Sequence, residues 1–194
     1  MSTLRIATIR HDARGSVRLC NRAASTLNEL NAIHDGWLVK YPQMMVQVRD
    51  ARPPDIGAIV RLVRESAASQ GALDAVCVDA PTLHDEIFGA RSRVHALVAD
   101  ADGTLVGVAI YFFTFSTWVN VNGIHLEDLY VDPTWRRQGV ARALMDALVG
   151  VARTSGCRRL QWFVRQSNAV ALRFYESIGA KMANDWEIMH LDRS

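Results

Sequence analysis

The sequence predicts an α/β domain built on a mixed sheet, and three patterns support this fold class. Short segments of alternating or continuous apolar residues are separated by longer ones in which apolar residues recur every three or four positions. The turn signal Ala101-Asp102-Gly103 lies between two apolar segments, which is typical of an antiparallel hairpin. A strand, helix, strand order over residues 124–164 predicts a crossover between parallel strands.

The first half of the domain is predicted to contain three strands and two helices. Residues 45–49 alternate as a strand does, and residues 52–55 then begin a helix, because proline suits the first helical turn. A second helix is expected over residues 82–88, capped by Thr82. The two strands of the hairpin are expected at 94–99 and 105–115.

The second half alternates strands and helices. A strand over 124–131 is followed by a helix over 138–154 that carries one apolar stripe. A strand over 160–164 and a helix over 168–178 come next, and both helices are followed by a glycine that can close them. A last strand is expected over 187–191.

The composition is that of an ordinary globular protein with one sizeable core: 194 residues, of which 49% are hydrophobic and 22% charged. The longest apolar segment, residues 105–115, is too short to span a bilayer. Residues 44–194 hold sixteen basic and seventeen acidic residues. This balance argues against nucleic acid as a partner, since nucleic-acid-binding domains usually have a dominant basic face.

The three cysteines lie far apart, form no CxxC pair and are odd in number. They therefore indicate neither a disulfide framework nor a zinc site. We expect reduced thiols, a cytoplasmic location and no metal.

Residues 1–43 differ from the rest and form an extension to a domain that covers residues 44–194. Arginines recur there at every fourth position: Arg10, Arg14, Arg18 and Arg22. The extension is either a flexible appendage, for instance a targeting segment, or the result of a start assigned too far upstream, with Met44 or Met45 as the true start.

The segment Arg136-Arg137-Gln138-Gly139-Val140-Ala141 lies where a strand ends and a helix begins. Unpaired backbone N–H groups and the helix dipole bind phosphate at such a point, and Gly139 and Ala141 leave room for a close approach. The spacing is neither GxGxxG nor GxxxxGK[ST], which argues against nicotinamide dinucleotides and nucleoside triphosphates. Taken alone, the segment is more often an arginine-bearing surface turn before an ordinary helix start.

Several motifs in register resemble the GNAT superfamily of N-acetyltransferases, whose pyrophosphate loop reads [Q/R]-x-x-G-x-[G/A]. Here the loop is Arg136-x-x-Gly139-x-Ala141. The diamine (spermidine/spermine) acetyltransferase branch is similar in three further segments, and the likeness covers residues 44–191. These segments are Tyr111-Phe112-Phe113-Thr114-Phe115, Leu126-Glu127-Asp128-Leu129-Tyr130-Val131 and Asn168 with Phe174-Tyr175-Glu176-x-x-Gly179-Ala180.

The resemblance implies the GNAT fold: a mostly antiparallel N-terminal half, central parallel strands that splay apart, and helices on both faces of the sheet. It also implies acetyl-CoA as the cosubstrate and a homodimer. The coenzyme would be held largely by backbone groups. The residues expected to bind it are Leu129, Tyr130, Val131, Arg136, Arg137, Gln138, Gly139, Val140, Ala141, Arg142 and Asn168.

Acetyl transfer needs a neutral amine, whereas an alkylamine has a pKa of about 10.4. A carboxylate beside the amine can hold the cation and take its proton. Glu127 is the candidate base and Asp128 a second ammonium ligand. Strand alternation puts Glu127 and Asp128 on opposite faces of the sheet unless the strand bulges between them. The resemblance implies such a bulge. Without a bulge, one of the two acids would be solvated and the other salt-bridged.

The departing thiolate needs a proton, and the resemblance assigns its donation to Tyr175. It also suggests that Trp162 and Asp185 line the acceptor cleft. His125, two residues before Glu127, is expected on the same face and could tune the base, but it is interpreted as a packed bystander and is not counted as catalytic.

The sequence therefore predicts an N-acetyltransferase in which a primary amine of a small molecule attacks acetyl-CoA directly in a ternary complex. The loops at 70–74 and 183–186 hold fewer acids than the polyamine enzymes have. This puts spermine and spermidine in doubt and leaves a shorter diamine, a lysine-like amino acid or another primary amine as acceptor. The alternatives are a protein or peptide acetyltransferase, a non-catalytic acyl-CoA-binding module and, least favoured, a nucleic-acid-binding protein.

Overall fold

The computed structural model describes residues 46–183, Ile188, Met189 and Leu191, together with the backbone of two strands at 7–11 and 17–21. The contacts divide the chain into two compact parts, residues 1–162 and 163–194. The described residues contain no helix that is both long and apolar enough to cross a membrane.

The described strands form one seven-stranded sheet in chain order. They are β1 (Ala7–His11), β2 (Val17–Asn21), β3 (Val46–Asp50), β4 (His95–Ala101), β5 (Thr104–Ser116), β6 (Val121–Val131) and β7 (Arg159–Trp162). Neighbouring strands are antiparallel except for β6 and β7, which are parallel. The mixed sheet and its one parallel crossover confirm the predicted fold class.

The helices are α1 (Ile56–Ser69), α2 (Ala80–Phe88), α3 (Val140–Thr154) and α4 (Ala169–Ser177). Helix α2 begins two residues earlier than predicted, because Asp79 is the N-cap and its carboxylate accepts the N–H of Thr82 at 2.9 Å. Thr82 is therefore not the cap. Asp79 comes directly before Ala80-Pro81, and proline in the first turn favours the earlier start.

The hairpin between β4 and β5 turns at two residues with left-handed backbone conformation, Asp102 (φ 49°) and Gly103 (φ 89°). Two such residues are typical of a type I′ turn, whose twist matches that of the flanking strands. The predicted hairpin is confirmed.

Helices α1 and α2 cover one face of the sheet, which we call the α1 face. Ile59, Leu62 and Ile87 pack there against sheet residues that include Val108, Ile110 and Tyr130. Helix α3 covers the other face, where a Cβ added to Gly107 of β5 would lie 3.2 Å from Leu144 Cδ1. Helices thus lie on both faces, as predicted.

Strands β1 and β2 belong to the N-terminal extension and add to the free edge of β3. Val17 pairs with Val48, and Leu19 pairs with Val46. Most of residues 1–45 lie outside the described part of the chain, so the two interpretations of this extension stay predictions. The predicted last strand also falls largely outside it: residues 187 and 190 are not described, and Ile188, Met189 and Leu191 are not in a strand.

Candidate active site

The segment that joins β6 to α3 contains two residues with left-handed backbone conformation. Arg137 has φ 62° and Gly139 has φ 87°. Glycine adopts this conformation freely, whereas a non-glycine residue there costs of order 1 kcal/mol. Backbone strain of this kind is frequent at ligand-binding positions, and at Arg137 it falls within the predicted loop at residues 136–142.

Helix α3 begins without a side-chain cap. Gly139 is its N-cap residue, and its first turn contains no acidic side chain. The N–H groups at a helix start have no partner within the helix, and the helix dipole adds a partial positive charge. No side chain of the helix start competes for these donors, so an incoming anion can accept from them.

Two arginine side chains of the loop are held by neighbouring groups. Arg136 donates from Nε to the carbonyl of Val131 at 2.9 Å, and its guanidinium lies 5.4 Å from the ring centroid of Tyr130. Arg142 donates from Nε to Asp146 at 3.0 Å. The side chains of Arg136 and Arg142 thus tie the loop to the end of β6 and to the second turn of α3.

Strand β6 has an open edge beyond residue 126. Its ladder with β7 joins Gly123–Leu126 to Arg159–Trp162 and extends no further within the described residues. The N–H of Asp132 donates to Val106 of β5, and backbone groups alternate along a strand, so the N–H groups of Leu129 and Val131 point away from β5. These two donors therefore lie on the edge of β6 that faces away from β5, beyond the last residue paired with β7 in the described part of the chain.

A β-bulge interrupts β6 at Glu127. Tyr111 of β5 pairs with Leu126, and the preceding residue, Ile110, pairs with Asp128. Glu127 is therefore the extra residue without a partner in the ladder. The bulge implied by the resemblance is confirmed.

The bulge brings three polar side chains to the α1 face. His125 pairs with Phe112, and Asp128 pairs with Ile110, a residue of the core beneath α1. Residues two apart on β5 share a face, so His125 and Asp128 share it as well. Glu127 joins them, since its Oε2 lies 3.6 Å from Nε2 of His125.

Burial separates the two carboxylates electrostatically. The Glu127 side chain is 59% exposed, whereas Asp128 is partly buried. Burial, and secondarily the charge of Glu127, raises the pKa of Asp128 to about 6. A carboxyl with so perturbed a pKa is a candidate functional group.

His125, which the sequence analysis does not count as catalytic, lies beside Glu127. Its side chain is only 7% exposed, and its ring stacks on Phe112 at 4.9 Å between centroids. The available signal was its spacing of two residues from Glu127.

The other predicted site residues are not all brought to this face. Trp162 pairs in register with Leu126, and Leu126 lies on the face opposite His125. The register therefore does not bring Trp162 together with the carboxylates. Asp185 lies outside the described residues.

Asn168 and Tyr175 belong to the C-terminal part, residues 163–194. Asn168 caps α4, and its side chain accepts the N–H of Ala171 at 3.1 Å. Tyr175 lies on α4 beside Phe174. Burial raises the pKa of Tyr175 to about 12, so its hydroxyl stays protonated at neutral pH.

No group of three or more histidine, cysteine or carboxylate side chains in the described part of the chain is arranged to hold a metal ion. The residues gathered at the bulge are two carboxylates and one histidine, and the predicted chemistry assigns the two carboxylates to an amine and its proton.

Comparison with known proteins supplies a family. The sequence matches the family model of the acetyltransferase (GNAT) family over residues 61–180. It is 35% identical over 156 residues to thialysine N-epsilon-acetyltransferase of Bos taurus, covering 76% of this chain and 91% of that protein. It is 31% identical over 154 residues to human spermidine/spermine N(1)-acetyltransferase-like protein 1, covering 76% of this chain and 22% of that protein.

Solved structures agree on the fold. An aminoglycoside acetyltransferase from an uncultured soil metagenomic sample, solved with sisomicin, superposes with a TM-score of 0.63 at 17% identity. The alignment covers 77% of this chain and 95% of that one. A transcriptional regulator from Bacillus halodurans has a TM-score of 0.64 at 23% identity over 75% of this chain and 99% of that one.

Proposed function

Because this chain belongs to the acetyltransferase (GNAT) family and is an N-acetyltransferase, we propose that its acceptor is the terminal primary amine of a small diamine or a lysine-like amino acid. The observation that carries the proposal is the bulge at Glu127, which places two carboxylates on one face of β6 where its edge is open. The bovine relative is named for the Nε of thialysine, which supports an amino acid with a terminal amine. The relatives do not favour a protein acceptor or a non-catalytic role.

Acetyl-CoA is the proposed donor. Its pyrophosphate would accept hydrogen bonds from the backbone of residues 136–142, where the start of α3 has no side-chain cap. The N–H groups of Leu129 and Val131 are directed to the open edge of β6. They would bind the thioester carbonyl and the pantetheine arm, and the carbonyl donor would also stabilise the oxyanion as it forms.

The acceptor amine must lose a proton before it attacks, since its pKa of about 10.4 lies about three units above neutral pH. We assign ammonium binding to Asp128 and proton removal to Glu127, directly or through a water molecule. The exposed Glu127 can pass the proton on to solvent. The neutral nitrogen then attacks the thioester carbon, forming the C–N bond. As the tetrahedral intermediate collapses, the C–S bond breaks, the nitrogen loses its second proton to solvent, and the departing thiolate takes up a proton.

The proposed proton donor to the departing thiolate is Tyr175. Its raised pKa is consistent with this role because the phenol carries its proton at neutral pH. Tyr175→Phe should lower kcat about 10²-fold, the lower end of the 10²–10⁴ range for one general acid, and should leave the affinity for acetyl-CoA within about twofold. Unchanged turnover would remove Tyr175 from the mechanism. Coenzyme contact by Asn168, and acceptor contacts by Trp162 and Asp185, stay predictions.

The direct experiment measures release of coenzyme thiol with acetyl-CoA and a panel of amines, with products identified by mass spectrometry. The panel should contain thialysine, lysine, ornithine, putrescine, spermidine and a lysine-containing peptide. We expect the amino acids and the short diamine to exceed spermidine in kcat/KM. Turnover of the peptide alone would contradict the small-molecule acceptor. Coenzyme binding without turnover of any amine would contradict catalysis.

We further propose that the enzyme is cytoplasmic and forms a homodimer. The described cysteines Cys77 and Cys157 are free thiols, which suits a reducing compartment. Sedimentation equilibrium at micromolar concentration tests the dimer, and a single species at the 21.6 kDa of one chain would contradict it.

A further inference from the structure

We propose that His125 is a positioning residue that holds Glu127 in place to accept the proton of the acceptor amine. The inference rests on the proposed function, because it presupposes that Glu127 meets an amine. It adds a residue that the sequence interpretation treated as a bystander.

The packing around His125 fixes its ring. The residue lies in the middle of β6, between β5 and β7, and pairs with Phe112 on one side and Gln161 on the other. The ring stacks on Phe112 with an angle of 22° between planes and is almost entirely buried. A ring held in this way presents Nε2 to Glu127 from a constant position.

Glu127 lacks such support from the strand. As the extra residue of the bulge it has no partner in the ladder, and more than half of its side chain is exposed. A free glutamate side chain loses up to about 2 kcal/mol of rotamer entropy when it is ordered. Among the described residues, His125 is the side chain within ion-pair reach of Glu127.

The distance of 3.6 Å between His125 Nε2 and Glu127 Oε2 is just outside hydrogen-bond range. Such contacts in catalytic sites often shorten only when the substrate is bound. The exposed Glu127 side chain has room to rotate towards the ring, whereas the buried ring is held by its stacking on Phe112. An Nε2–H donated to one oxygen of Glu127 would leave the other oxygen for the amine.

The burial of His125 distinguishes a positioning residue from a base. His125 is buried beneath the bulge, and Glu127 is the group that solvent and an amine can reach. His125 therefore acts through Glu127, and its removal should affect the rate of transfer more than the binding of either substrate.

Two substitutions separate the polar contact from packing. His125→Phe keeps an aromatic ring against Phe112 and removes the nitrogen, whereas His125→Gln places an amide N–H near the position of Nε2. We expect His125→Phe to lower kcat about tenfold, the scale of one lost rotamer restriction, with acceptor KM and coenzyme affinity within about twofold. His125→Gln should recover most of the lost rate.

His84→Phe is the matched control. His84 lies on α2, is also next to a carboxylate, with Nδ1 3.4 Å from Asp85 Oδ1, and also packs against a phenylalanine, Phe88. Its substitution should leave kcat unchanged. If His125→Phe does not fold, His125→Asn replaces it in the comparison, because the shorter Asn amide corresponds to Nδ1 and should not rescue the rate as Gln does.

The inference is overturned if His125→Phe turns over like the wild type, or if the Gln variant is as slow as the Phe or Asn variant although all melt cooperatively. The double variant His125→Phe/Glu127→Gln gives a further test. If His125 acts through Glu127, its substitution should lower kcat no further once Glu127 is replaced. Fold-losses in kcat that multiply in the double variant would overturn the inference. Wild-type protein that acetylates no amine of the panel refutes the proposed function, and this inference with it. Wild-type turnover with an inert His125 refutes the inference alone.

Discussion

The loop at residues 136–142 and the bulge at Glu127 are built from different parts of the chain. The loop offers backbone N–H groups fixed by two left-handed residues and a helix start. The bulge offers side chains, whose positions depend on how β6 pairs with β5. A backbone site should tolerate changes of side chain and fail when its φ angles are lost, whereas a side-chain site should fail on replacement of single atoms.

The largest effect is expected from a substitution that changes a single functional group of the side-chain site. Glu127→Gln keeps size and shape but removes the base, so kcat should fall about 10²–10³-fold, within the range for a general base. Coenzyme affinity, measured by calorimetry, should stay within about twofold. A loss of affinity comparable to the loss of rate would show that the two regions are not independent.

The next effect breaks the backbone site. Gly139→Val introduces a β-branched residue at φ 87°, a conformation such residues avoid, and should weaken acetyl-CoA binding at least about tenfold, with a strain cost of 1–3 kcal/mol taken from the loop. Gly150→Ala in α3 is the control, because an added Cβ meets nothing within 4 Å there. Its affinity should equal that of the wild type. Tight binding by Gly139→Val would contradict a site made of backbone donors.

The dependence of kcat/KM on pH tests the charge of the carboxylates without a substitution. The raised pKa of Asp128 means that it gains a proton as the pH falls through about 6, and a neutral Asp128 no longer attracts an ammonium group. We expect kcat/KM to fall about tenfold per pH unit below that point, as for one essential ionised group. Asp128→Asn should lower kcat/KM at pH 8 and remove this limb.

The pH dependence of kcat/KM in a Glu127 variant tests why the pKa of Asp128 is raised. Since the charge of Glu127 is the second cause of the raised pKa, Glu127→Gln should move the limb to lower pH. A limb at the same pH in Glu127→Gln, or one that persists in Asp128→Asn, would assign it to another group.

The smallest expected effect tests side chains of the backbone site. Arg137 is exposed, so its charge is screened by solvent and Arg137→Ala should raise the KM for acetyl-CoA by only about threefold, the scale of an exposed ion pair. The effect should shrink further at high salt. A salt-insensitive loss of more than about thirtyfold would place the binding energy in side chains and remove the contrast between the regions.

The parts of the fold that depend on neighbouring residues could be predicted from the sequence. Asp102-Gly103 favours a hairpin turn, and the apolar stripe predicts α3, although this helix begins at Val140, two residues after the predicted start at 138. The predicted cap of α2, Thr82, is wrong: Asp79 and Thr82 are both good capping residues, and Pro81 in the first turn favours the start after Asp79.

The side-chain site could be predicted only in part. Glu127 and Asp128 are visible in the sequence, but which residues share their face depends on the pairing of 110 and 111 with 126–128. Simple alternation separates Asp128 from His125, and the bulge reverses this. The same register places Trp162 on the opposite face, which no local pattern around residue 162 reveals.

The bulge also has a consequence for changes in chain length. On either side of Glu127 the pairs Leu126 with Tyr111 and Asp128 with Ile110 are adjacent steps of one ladder. Deleting Glu127 would close the strand into regular pairing and leave every other partner in place, whereas a deletion elsewhere in β6 would turn the following side chains to the wrong face. The sheet can therefore lose the residue of the proposed base and keep its strand pairing. A relative that lacks this one residue would have the same fold without the proposed base.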